Sequence, residues 1–152
     1  MPSHRRKILP KEAFLSHSKK DRAFADKLLK LLRFHRVPVW YSPKSLVPAQ
    51  KWHSEIGRAL ARCDWFIVVL STNSVESEWV ERELVYALNH RQYRGHILPV
   101  LKERCNYEKL SWTLAGFQFV DFTKDFESGC RDLLRAWGLE HNRTVTSFRK
   151  RP

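Results

Sequence analysis

Trp79 and Glu83 lie four residues apart in the stretch Ser71 to Ala87, STNSVESEWVERELVYA. On a helix, residues at i and i+4 share a face, so the indole and the carboxylate are expected to project together. Such a pair can stack a flat ring and set an anion beside a developing cation. The helical neighbours of Glu83 at three and four residues are Trp79, Val80, Tyr86 and Ala87, none of them cationic. A carboxylate in that company is expected to be partly desolvated, with a raised pKa. The same spacing also suits a surface glutamate and a core tryptophan on an ordinary amphipathic helix. Glu78 and Arg82 have the favourable order for an exposed i,i+4 ion pair.

Two alternating periodicities supply the elements that must position this pair. Residues 11–17 read as a short strand, and Phe24, Leu28, Leu31, Leu32 and His35 mark one face of a helix over about 20–36. Residues 37–41 form a second strand, with Pro38 near its start where a missing N–H is tolerable. Residues 42–51 hold two prolines and read as a loop. Trp52, Ile56, Ala59 and Leu60 give the face of a second helix. The apolar run from Asp64 to Ser71 fits a central parallel strand covered on both sides. A helix over 76–91 follows, then a strand at 96–101 and a poorly patterned segment at 102–116. The last strand is expected at 117–122. A final helix carries Cys130, Leu133, Leu134 and Trp137 and stops at Gly138.

Strands alternating with helices imply right-handed crossovers and an α/β, doubly wound five-stranded parallel sheet of flavodoxin-like order. Ligands bind such sheets beyond the carboxyl ends of the strands, where strand order reverses. Here that point lies between the first and third strands. It gathers Ser16, His17 and Ser18, the 42–51 loop and the segment from Ser71 to Trp79.

At 152 residues the chain is expected to form one domain over 11–138. A basic segment at 1–10 precedes it and a basic tail at 139–152 follows. No GxGxxG, GxxxxGK[ST] or GxSxG occurs, which excludes the usual dinucleotide fold, P-loop and hydrolase elbow. The three cysteines are far apart and no zinc spacing is present, so reduced thiols and no metal are expected. No apolar run approaches the roughly 18 residues of a membrane span, and no signal-peptide core follows the basic start. A cytoplasmic address is the expectation. The net charge of +12 favours anionic partners, but no nucleic-acid motif accompanies it.

Several blocks together resemble the Toll/interleukin-1 receptor (TIR) domain family, in its bacterial stand-alone form. FLSHSKKD at 14–21 is similar to the family's first box. Val39-Trp40-Tyr41, Leu46 to Trp52, Glu55-Ile56 and Ala59-Leu60 continue the pattern. Asp64 to Ser71, Ser77, Trp79, Glu83 and Ala87 form its third block, and 97–100 and 117–122 match its last strands. Ser42 and Ala49 depart from the family's usual Asp and Gly in the loop before the second helix.

The resemblance implies cleavage of the nicotinamide–ribose bond of NAD+, which is then a substrate and not a cofactor. The products would be nicotinamide plus ADP-ribose or a cyclic isomer. Glu83 takes the catalytic position. Phe14, Ser16, His17 and Lys19 would border the ligand. Trp79 with Trp40 or Trp52 would stack on its rings, and Lys44 and Lys51 would contact its phosphates. It also implies self-association through TIR–TIR contacts, a role in bacterial antiviral defence signalling and a separate effector responding to the product. The competing expectation is a non-catalytic TIR–TIR signalling scaffold; a nucleic-acid binder rests on charge alone.

Overall fold

The computed structural model describes the backbone of residues 9–41 and 49–141 and the side chains of 9–41 and 52–141. Five parallel strands form one sheet: β1 Ala13–Ser16, β2 Val39–Tyr41, β3 Trp65–Leu70, β4 Ile97–Leu101 and β5 Val120–Asp121. Their spatial order is β2-β1-β3-β4-β5. Ala13 of β1 is in register with Val39 on one side and Trp65 on the other. The order therefore reverses between β1 and β3, as the alternating pattern implies.

Side-chain alternation divides the core into two layers. Leu15, Ile67 and Val69 pack with Leu28 and Leu32 of α1 (Arg22–Phe34) and Leu133 and Leu134 of α4 (Phe126–Arg135). Phe14, Phe66 and Val68 face the other way. They meet Ile56 and Leu60 of α2 (Ala49–Arg62) and Val80 and Leu84 of α3 (Glu78–Asn89). The last five residues of β3 are all buried, which explains its unbroken apolar sequence. Each such Phe, Leu or Ile contributes about 1.5–3 kcal/mol by leaving water.

Most elements are a residue or more shorter at their ends than the sequence reading, and three departures have a local cause. The loop assigned to 42–51 ends sooner, because α2 begins at Ala49. Ala, Gln and Lys are good helix formers, and they follow the two prolines. Before α3, residues Ser74–Glu76 make a separate 3-10 turn, and Ser77 then caps the helix by accepting from the Val80 N–H at 3.3 Å. The expected strand at 117–122 contracts to Val120–Asp121. The Phe117 N–H donates to the Leu114 carbonyl and closes a 3-10 turn, so it is not free for the ladder. β5 pairs only with Val100 and Leu101 at the end of β4.

Candidate active site

β1 ends beside the start of α2 and the segment between β3 and α3, and a cavity of about 460 Å3 opens there. Its walls include His17, Lys19, Trp52, Trp79 and Glu83. This is the strand-reversal point, outside the carboxyl ends of β1 and β3.

Glu83 is 7% exposed, although its helix carries charges at Glu78, Glu81 and Arg82. Its Oε1 accepts a hydrogen bond from Ser16 Oγ at 2.7 Å. Ser16 and Phe14 are on the same face of β1, and that face looks toward α3. The strand end thus delivers a hydroxyl to the carboxylate, while β1 and the α3 core residues hold both in place. A buried carboxylate bonded to a neutral hydroxyl keeps acceptor capacity for a ligand.

The tryptophans form one aromatic wall. Trp52 of α2 and Trp79 of α3 have ring centroids 5.5 Å apart at 60°. The Lys19 ammonium lies 5.5 Å from the Trp52 ring centroid, and the Arg82 guanidinium 5.6 Å from that of Trp79. Arg82 also approaches Glu78 at 3.7 Å, the i,i+4 pair expected from sequence. His17 stacks on Tyr41 at 5.3 Å and 10°. Arg22 covers the Tyr41 ring at 4.8 Å, and the Tyr41 hydroxyl donates to Asp26. Burial, then the Asp26 carboxylate, raises the Tyr41 pKa.

The residues named from sequence divide into three groups. His17, Lys19, Trp52, Trp79 and Glu83 line the cavity, and Ser16 reaches it through Glu83. Phe14 and Trp40 stand behind it. Phe14 is 1% exposed and stacks on Trp40 at 4.9 Å and on Phe66 at 5.6 Å, so both rings support the wall from within. Lys44 and the side chain of Lys51 lie outside the described residues.

A polar brace beside the cavity has no counterpart among those site residues. Asp21, 1% exposed, accepts from the Ser71 hydroxyl, from Asn73 Nδ2 at 3.0 Å and from Lys102 Nζ at 2.9 Å. Burial pushes its carboxyl up, but the bonds from Ser71, Lys102 and Asn73 outweigh that and hold it below the usual value. Ser71 and Ser74 exchange N–H to hydroxyl bonds at 2.8 and 3.0 Å. Thr72 donates to Glu103 at 2.7 Å and Lys109 pairs with Glu76 at 2.7 Å. Thr72, Asn73 and Glu76 line the cavity, so these bonds fix one of its rims. The local signal in sequence was the clustering of small polar residues after a buried strand. Their partners at 102, 103 and 109 carry no such signal, and Asp21 closes the 14–21 block with nothing in it to indicate these contacts.

The sequence model described as TIR domain matches residues 13–134. The chain is 35% identical over 131 residues to the protein named NAD(+) hydrolase PdTIR of Paracoccus denitrificans, covering 82% of this chain and 44% of that one. It is 30% identical over 90 residues to the Escherichia coli protein named NAD(+) hydrolase TcpC, covering 57% and 29% respectively. The matched stretch is therefore less than half the length of either relative. Among solved structures, the TIR domain of the Toll-related receptor TRR-2 from Hydra magnipapillata superposes with a TM-score of 0.66 at 20% identity. That match covers 81% of this chain and 94% of that one. The TIR domains of the activated Roq1 resistosome give 0.64 at 19%, covering 82% and 97%. At those identities the structural likeness bears on the fold.

Proposed function

The chain belongs to the TIR domain family, and on that premise we propose that it cleaves the nicotinamide–ribose bond of NAD+ with Glu83 as the catalytic carboxylate. One observation carries the reading: Glu83 is buried, held by Ser16 at 2.7 Å, and forms part of a cavity walled by Trp52 and Trp79. The names of the bacterial relatives support the same chemistry.

In this reading nicotinamide departs with the electron pair of the C–N bond, leaving an oxocarbenium-like ribosyl centre. A fixed carboxylate held at the cleft wall stabilises that charge. Water then adds its oxygen to the anomeric carbon and loses a proton, giving ADP-ribose. Capture by a group of the same molecule gives a cyclic isomer instead. Trp52 and Trp79 offer flat surfaces for the rings, and Lys19 would meet a phosphate. Ser16 and His17 border the ligand from the strand end. The finer steps of the reading are self-association of TIR domains, a defence role in bacteria and an effector that responds to the product.

The test is NAD+ consumption by concentrated protein, with products separated by chromatography and mass, beside Glu83→Gln. Nicotinamide release is expected from the wild type and a loss of at least about a hundredfold from the variant, the scale of losing one preorganised charge contact. Full turnover by a folded Glu83→Gln protein would remove Glu83 from the mechanism.

A further inference from the structure

At the opposite pole of the sheet, a second cavity of about 620 Å3 lies between the end of α3, the start of β4 and the approach to β5. Its size falls in the roughly 300–1,000 Å3 range of small-molecule sites. Leu88, Ile97, Leu98 and Phe117 supply half-buried apolar walls. Arg91 and Arg94 are exposed at its edge, and neither forms an ion pair among the described residues. No Asp or Glu lines it.

The end of α3 would by itself disfavour an anion, because its last carbonyls carry partial negative charge. Two of those carbonyls, of Tyr86 and Ala87, already have partners, as does that of Val85 one position earlier. Asn89 Nδ2 donates to Val85 O at 2.7 Å, His90 Nδ1 to Tyr86 O at 2.7 Å, and the His90 N–H to Ala87 O at 3.4 Å. The two guanidinium groups therefore set the sign of the site. Gln118, exposed and without a hydrogen bond among the described residues, offers a donor and an acceptor side by side. A carboxamide of that kind matches the N6/N7 edge of adenine.

We propose that this cavity binds an adenine mononucleotide, with the base between the apolar walls and Gln118 and the phosphate on Arg91 and Arg94. Arginine suits the phosphate because its planar fork can bond two oxygens at once. The site is separate from the Glu83 cleft, yet α3 contributes to both: Trp79 and Glu83 at one end, Ala87 to Asn89 at the other. A ligand held here would rest on the helix that carries the proposed catalytic carboxylate.

The experiment is calorimetric titration of the chain with AMP, which has no nicotinamide bond and so does not depend on NAD+ cleavage. Adenosine and inorganic phosphate are the comparison ligands. One AMP per chain is expected at this cavity, with adenosine and phosphate each at least tenfold weaker there. The double variant Arg91→Ala/Arg94→Ala should lose at least tenfold in AMP affinity while keeping the wild-type thermal midpoint, since both side chains are exposed. Trp52→Ala, in the other cleft, should keep the component of AMP binding that the double variant loses, whatever AMP it no longer takes up beside Glu83. Unchanged affinity in the double variant overturns the proposal. So does loss of that component in Trp52→Ala, equal affinity for adenosine or phosphate, or no saturable binding at millimolar AMP.

Discussion

Ser16 and Glu83 are separated by 67 positions, and their hydrogen bond joins the end of a central strand to the first turns of α3. A hydroxyl that donates to a buried carboxylate fixes its rotamer and is itself readily replaced by a ribose hydroxyl. Ser16→Ala is therefore expected to lower kcat about tenfold with little change in KM, because orientation matters most as charge develops. Steady-state kinetics on NAD+ separates the two constants; a rise in KM alone would assign Ser16 to ground-state binding. Asp21 makes a different prediction. Its folded pKa lies below the ordinary 3.8, so its contribution to stability is complete well above that value. The contribution is lost as pH falls from 3.8 through the lower folded value. Urea unfolding at falling pH should show this acid limb, and Asp21→Asn should flatten it. Trp79 and Glu83 were legible because helical spacing alone puts them together. Asp21 and Lys102 were not, since an ion pair across 81 positions leaves no periodic trace.

The elements were readable wherever one periodicity ran uninterrupted. β3 declared itself by a run that only two-sided burial explains, and α1 by its apolar stripe. β5 did not, because Phe117, Phe119 and Phe122 resemble strand residues while a turn consumes the Phe117 N–H. Gly129 shows a constraint that no pattern reveals. It lies inside α4, where alanine ordinarily gains about 1 kcal/mol over glycine. Yet a Cβ there would sit 2.3 Å from Phe122 Cδ1 and 2.4 Å from Cγ. The aromatic ring is itself held edge-to-face against Phe24 at 5.4 Å. Overpacking of this kind costs typically 1–3 kcal/mol. Gly129→Ala should therefore destabilise the fold by up to about 2 kcal/mol net in urea unfolding, and Gly129→Ala with Phe122→Leu should recover part of the loss. A stabilised single variant would show that the ring yields freely.

For the molecule as a whole, parallel topology and strand order followed from the alternation of elements, and the cleft followed from strand order. The rims of the cleft did not, because cross-ties from Glu103 and Lys109 join segments about thirty residues apart. A net charge of +12 opposes close approach of copies at low salt. If a neighbour completes the cleft, NAD+ cleavage per chain should rise steeply with protein concentration and more so at 0.3 M than at 0.05 M salt. A strictly linear rate over a hundredfold concentration range would restrict the active unit to one chain. The position of β1 has a further consequence, for synthesis. It is the strand between β2 and β3, and the ribosome delivers it before either partner. Phe14 and Leu15 must wait for residues 65–70 before the three-stranded centre can close, and every pairing spans a crossover. Loop closure comes before the contacts that reward it. While about half of the domain is still being translated, Phe14 and Leu15 have nowhere to bury themselves, and that interval is when a nascent chain most needs a chaperone.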